Sequence, residues 1–199
     1  MIELVERLRA RGCPIHHLDL GGGLGIRYKP EQRPPEIRRF VAELLKKFAG
    51  HNLTVMMEPG RSIVGDAGVL VTRVLYRKRS GRKEFIVVDA AMTDLIRPAL
   101  YQAHHEIVPV RQAPERGTVV ADVVGPVCET GDFLARDREI ANVLPGDLLA
   151  VCSAGAYGFA LASNYNARPR PPEVLVEGER WRTVRDRETF ADLIRGETC

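Results

Sequence analysis

The sequence predicts two architectures in series: the end of a βα repeat over residues 1–64, and an antiparallel β domain over residues 65–199. Three observations carry this reading. Up to Arg61, short apolar strand-like runs alternate with helical spacing, the sign of a parallel sheet or barrel. From Val69 onward, short β-rich runs are divided by Pro and Gly turns, the sign of antiparallel sheet. Two βα units cannot close a barrel, which needs eight, so the first part reads as the end of something longer. With 45% hydrophobic and 28% charged residues among 199, there is enough apolar surface for a core, and disorder is excluded as the main state.

The elements follow in order. Ile2–Arg11 is a short amphipathic helix with Ile2, Val5 and Leu8 on one face and Gly12 to stop it. His16–Leu20 is an apolar strand that runs into Gly21-Gly22-Gly23-Leu24-Gly25. After a loop with Pro30, Pro34 and Pro35 comes the clearest helix, Glu36–Ala49. Its apolar positions are Ile37, Phe40, Val41, Leu44, Leu45 and Phe48, the spacing of one helical stripe. Pro35 suits its start, Lys46 and Lys47 suit its last turn, and Gly50 caps it. Leu53–Met57 is a second strand and ends in Glu58-Pro59-Gly60-Arg61, a polar loop. The β domain then offers Val69–Tyr76, Phe85–Val88, Ile107–Val110, Thr118–Val124, Glu139–Leu144, Leu148–Cys152 and Val174–Val176. The tail Arg187–Arg195 reads as a helix with Phe190 and Leu193 or Ile194 inward.

Several function classes lose support at once. A net charge of +3 spread along the chain is too weak to argue for nucleic acid or membrane as partner. Met1–Arg11 is heavily charged and has no apolar signal core. The longest uncharged run, Leu148–Ala167, holds Ser153, Gly155, Gly158, Ser163, Asn164 and Asn166, so it reads as buried loop and core and not as a membrane span. Cys13, Cys128, Cys152 and Cys199 form no zinc pair and no disulfide framework; each reads first as a buried small hydrophobe, and a reducing cytoplasm is the default. His104 and His105 are adjacent, so their side chains diverge, and no metal site is expected.

Five segments carry chemistry. The glycine run follows a strand and lets the backbone approach an anion, although it is neither a dinucleotide fingerprint nor a P-loop. Glu58 and Arg61 stand at a strand C-terminus, where an Arg can clamp a carboxylate. Arg97 and Tyr101 are four apart and share a face if the segment is helical. Cys128 and Glu129 lie in the turn Gly125–Asp132; a loop thiol flanked by carboxylates suits an acid better than a nucleophile. Ala154–Phe159 is a small-residue loop that presents one phenol, Tyr157. Each segment alone is also explained by a tight turn, a surface ion pair or a core aromatic.

Taken together, His17–Gly25, Glu58–Arg61, Asp89–Tyr101, Gly125–Arg138 and Pro145–Asn166 resemble the diaminopimelate branch of the fold-type III pyridoxal-phosphate (PLP) amino-acid decarboxylases. The glycine triplet with E-P-G-R points only to the wider group; a Glu after Cys128 looks like this branch, where the ornithine branch usually has Asp. The resemblance implies the last two βα units of an alanine-racemase-like PLP-binding barrel followed by the β domain. It implies a cytoplasmic homodimer with shared active sites. It assigns Gly22, Gly23, Glu58, Gly60, Arg61 and Tyr157 to PLP. Arg61, Arg97, Tyr101, Glu129 and Tyr157 would contact the substrate, and Cys128 would be the proton donor after CO2 loss. The implied reaction converts meso-diaminopimelate to L-lysine. One departure stands out. The family's Schiff-base lysine belongs to an early-barrel segment, and none of Lys29, Lys46, Lys47, Lys78 or Lys83 sits at the end of such a strand. The expectation is therefore the C-terminal half of the enzyme, with sites that work only alongside the missing half. The alternatives are a non-catalytic ligand-binding or interaction module derived from it, or an ornithine- or arginine-type decarboxylase fragment.

Overall fold

The structure, a computed structural model, describes residues 1–198; Cys199 lies outside them. The chain forms two compact units, Met1–Gly65 and Asp66–Cys199.

In unit one, α1 (Ile2–Arg9) ends near Gly12, whose φ of +86° is the left-handed conformation glycine adopts without strain. Arg9 then ties the helix to the chain that follows. Its guanidinium donates to the carbonyls of Ile15 at 2.9 Å and His51 at 2.7 Å. Strands β1 (His17–Asp19) and β2 (Thr54–Met56) pair in parallel, with Leu18 opposite Val55. Parallel neighbours need a crossover, and α2 (Ile37–Phe48) lies within it. The helix is present as its spacing predicts, yet none of its residues is buried. A short helix, α3 (Gly60–Val64), forms where the sequence suggests only a polar loop. It starts against Pro59, whose carbonyl accepts a hydrogen bond from Ser62 Oγ at 2.8 Å.

Unit two is built on six strands: β3 (Leu70–Ser80), β4 (Lys83–Val88), β5 (Ile107–Pro109), β6 (Thr118–Val124), β7 (Phe133–Ala141) and β8 (Leu148–Val151). Their order in the sheet is β5-β8-β3-β4-β6-β7. The expected all-antiparallel sheet is corrected here. The β4–β6 pair is parallel, with Ile86 opposite Val123, so the sheet is mixed. The two edge strands curl toward each other. Arg138 of β7 donates to the carbonyl of His105, just before β5, at 3.0 Å, and the sheet is nearly closed. Closure gives a core from both ends of the order: Val74, Ile86, Val88, Leu95, Val123, Leu134, Leu149 and Val151 are all buried.

Three other expectations need correction. The strand placed at Glu139–Leu144 runs instead over Phe133–Ala141, because the chain enters the ladder directly from the Gly131-Asp132 turn. A small antiparallel sheet pairs β9 (Glu173–Glu177) with β10 (Arg180–Arg185) through Gly178 at φ +62°. All of β10 is exposed, and its apolar residues Trp181 and Val184 stand three apart, so it lacks the period-two alternation by which a strand is read from sequence. The tail helix α5 is only Phe190–Leu193, held by a capping box between Thr189 and Asp192, and Phe190 faces outward at 70% exposure. Among the described residues no helix is long and apolar enough to cross a membrane.

Candidate functional site

In unit one the glycine run leaves β1 and is stitched to the end of β2. Leu20 N–H donates to the Met56 carbonyl at 3.0 Å, and Glu58 N–H to the Gly21 carbonyl at 2.9 Å. Asp19 Oδ1 accepts the Gly21 N–H at 2.7 Å. The glycines are demanded by geometry. Gly23 has φ +95°, and a Cβ on Gly22 would lie 2.6 Å from the Glu58 carbonyl oxygen. The space beside Gly23, Gly25 and Gly60 is open, since no atom lies within 4 Å of where a Cβ would sit. Gly22, Gly60 and the Glu58 side chain's residue are exposed. Arg61, half-buried at the start of α3, carries its guanidinium 6.0 Å from the ring centre of Tyr28.

Unit two brings a second group together. Arg97 opens α4 (Arg97–Tyr101), the short helix in the passage from β4 to β6, and is 6% exposed. Its guanidinium carbon lies 5.9 Å from the Tyr101 ring centre and 5.7 Å from that of Tyr157, within cation–π range of both. So the helical spacing of Arg97 and Tyr101 is realised, and Tyr157 joins them from the loop after β8. Tyr157 is held at φ +59°, a left-handed backbone that a bulky residue rarely adopts. Tyr101 and Tyr157 stay open to solvent, at 61% and 44%.

Cys128 and Glu129 stand on a separate, exposed loop between β6 and β7. Its shape is set by Asp132, which is 4% exposed. One carboxylate oxygen accepts Val127 N–H at 2.6 Å, and the other accepts Met92 N–H at 2.7 Å. Gly125 must be glycine, because a Cβ there would lie 2.5 Å from Asp132 Oδ2. Tyr165 Oη donates to Glu129 Oε2 at 3.3 Å. The expectation of buried cysteines fails: Cys13 and Cys128 are exposed, Cys152 is half-buried, and Cys199 lies outside the described residues. Burial, and then the nearby Glu106, push the Cys152 thiol up.

Two residues of this region escape a sequence reading. Asp132 reads as one more turn residue until its two backbone partners are seen. His105 reads as half of a failed metal pair. Among the described residues no group of three His, Cys, Asp or Glu side chains is placed to hold a metal ion. His105 is instead fully buried, bonded to the Cys152 carbonyl at 2.9 Å and to Arg97 Nε at 3.4 Å.

Two of the lysines form ion pairs. Lys46 pairs with Glu43 at 3.0 Å on α2, and Lys83 with Asp122 at 2.9 Å and Asp137 at 3.4 Å on the sheet. The hydrogen bond that the Lys83 ammonium donates to Asp122 raises its pKa.

Comparison with known proteins gives a consistent picture. The chain is 55% identical, over all of its length, to the diaminopimelate decarboxylase of Pseudomonas aeruginosa, and covers 47% of that relative. It is 53% identical over 98% of its length to the diaminopimelate decarboxylase of Aquifex aeolicus, covering 46% of it. The crystal structure of diaminopimelate decarboxylase from Helicobacter pylori complexed with L-lysine superposes with a TM-score of 0.87 at 38% identity, over 98% of this chain and 48% of that one. The chain thus spans about half the length of the curated relatives it matches. Residues 26–155 match the C-terminal sheet domain of the pyridoxal-dependent decarboxylases, and the chain belongs to that family.

Proposed function

We propose that this chain supplies the C-terminal part of a diaminopimelate decarboxylase, which removes CO2 from meso-diaminopimelate to give L-lysine. The observation that carries the reading is Arg97: a buried guanidinium flanked by two accessible phenols, suited to a carboxylate at the far end of a substrate. A substrate without that second amino-acid end would leave the site's polar groups unmatched, which is how such a site discriminates. The Glu129 carboxylate supplies the complementary charge for the distal ammonium.

The residues present fit PLP. We assign its phosphate to the backbone of Gly22 and Gly23: the left-handed Gly21 and Gly23 on either side of Gly22 have open space where a Cβ would sit, which permits close approach by an anion. Glu58, Gly60, Arg61 and Tyr157 are the other residues we assign to holding it. When bound, PLP supplies the electron sink for loss of CO2. Cys128 Sγ, exposed on its loop, carries the proton that is delivered to the substrate carbon afterwards. We assign residues 1–64 to the end of the PLP-binding barrel and the Cys128 loop to a site shared across a homodimer. The free thiols of Cys13, Cys128 and Cys152 support a cytoplasmic setting.

The test uses the PLP-loaded enzyme that contains this chain. Cys128→Ala lowers kcat by about a hundredfold or more with KM little changed, the size expected for loss of a general acid. Arg97→Met raises KM for meso-diaminopimelate by about tenfold or more, the size of a charged hydrogen bond. An Arg97→Met enzyme with unchanged KM overturns the substrate assignment.

A further inference from the structure

His105 sits just before β5 and is closed off from solvent. Its surroundings fix it from several sides. Its own carbonyl accepts Arg138 Nη1 at 3.0 Å, and the next residue's carbonyl accepts Cys152 N–H at 2.8 Å. Its Nδ1 lies 2.9 Å from the Cys152 carbonyl oxygen. A carbonyl can only accept, so Nδ1 carries the proton. In the neutral ring Nε2 is then an acceptor, and it is Nε2 that faces Arg97 Nε–H at 3.4 Å.

We propose that His105 is a positioning residue for substrate recognition: it links the end of β8 to Arg97 and fixes the rotation of the guanidinium that reads the substrate's distal end. The proposal rests on the assignment of Arg97 to the substrate. A guanidinium turns about its Cδ–Nε bond, and an acceptor on Nε selects one orientation of the plane. Bidentate recognition of a carboxylate depends on that plane.

The electrostatics agree with the geometry. Burial holds the His105 imidazole below its ordinary value; the Cys152 carbonyl acts against this, and the cationic Arg97 and Arg138 push the same way as burial, as does any charge on His104. Glu106 faces His104 at 3.2 Å. The ring therefore stays neutral, and Nε2 keeps the lone pair that Arg97 uses.

A mutant cycle in the PLP-loaded enzyme that contains this chain tests this. His105→Phe keeps a planar ring, somewhat larger, and removes both hydrogen bonds. The expected result is a rise of about tenfold in KM for meso-diaminopimelate, with kcat changed by less than about threefold. His105→Gln, which restores an acceptor toward Arg97, recovers part of the loss. The double variant Arg97→Met/His105→Phe is no worse in KM than Arg97→Met alone. Multiplying effects, or a fall in kcat with unchanged KM, overturn the proposal. An Arg97→Met enzyme with unchanged KM instead overturns the assignment beneath it, and the proposal falls with it. A measurement without substitution guards against a variant that fails to fold. With 15N-labelled histidine, nuclear magnetic resonance reads a neutral ring protonated on Nδ1 at pH 7. A charged ring, or a proton on Nε2, overturns the proposal.

Discussion

Unit two buries Ile86, Val88, Leu95, Val123, Leu149 and Val151 completely, whereas in unit one α2 leaves Ile37 at 57%, Val41 at 39% and Leu45 at 65% exposure. Both units carry clear hydrophobic patterning, so patterning is not what separates them. The difference lies in closure. A sheet that curls until its edge strands nearly meet supplies the walls of its own core. Two three-residue parallel strands and an amphipathic helix do not, because parallel strands call for cover on both faces. Amphipathicity states which face seeks a partner and says nothing of whether the same chain provides one.

The closed core of unit two is tested most directly by truncation. Leu134→Ala is expected to destabilise that unit by about 2–5 kcal/mol, as buried Leu truncations do, read by chemical denaturation and by hydrogen exchange of the β6 and β7 amides. A cost under about 1 kcal/mol would mean the sheet is not closed in solution.

Next in size is Gly22→Ala in unit one. The new methyl meets backbone, the Glu58 carbonyl, and not a movable side chain. About 1–3 kcal/mol of local stability should be lost, with weaker PLP binding and faster exchange in β1 and β2. Unchanged exchange would show that the two strand ends are not stitched together.

A pH signature sharpens the picture of unit two. Glu188 accepts hydrogen bonds from Arg170 N at 2.8 Å, Arg170 Nε at 2.7 Å and Asn164 Nδ2 at 2.6 Å. The Arg170 side chain first, then its backbone N–H, hold the carboxyl near a pKa of about 2. A depressed carboxylate stabilises the fold above its ordinary value of 4.5 and loses that contribution as pH falls toward 2. Glu188→Gln should therefore flatten the acid limb of a stability–pH profile between those values. An identical acid limb in the variant would exclude this group as its source.

The smallest effect is expected on α2. Leu45→Ala should change stability by less than about 0.5 kcal/mol, as exposed substitutions do. A loss comparable to Leu134→Ala would show that this helix face is packed in solution, and the contrast between the units would disappear.

What the sequence disclosed follows the same division between local and non-local causes. The α2 stripe, the Thr118–Val124 strand and the glycine run at the end of β1 are written in consecutive residues, and each is found in place. The parallel pairing of β4 with β6 is not, because strand direction depends on where the intervening chain goes. Neither is β10, whose exposed Arg180, Arg182 and Arg185 leave no apolar alternation to read. At the candidate site, Arg97 with Tyr101 was legible as helical spacing, but Tyr157 joins them from more than fifty positions away. The role proposed for His105 needed partners that local spacing does not reveal: Arg97 eight residues before it, and Arg138 and Cys152 far along the chain.

The parallel pair has an evolutionary consequence. A hairpin can be trimmed to its turn, but neighbouring parallel strands cannot be joined by fewer than about a dozen residues. Residues 89–117, which contain Arg97 and Tyr101, are thus a passage the topology obliges the chain to keep. Deleting it would break the β4–β6 ladder within the sheet. A lineage can alter the residues along that passage, Arg97 and Tyr101 among them, while the passage itself is maintained by the architecture.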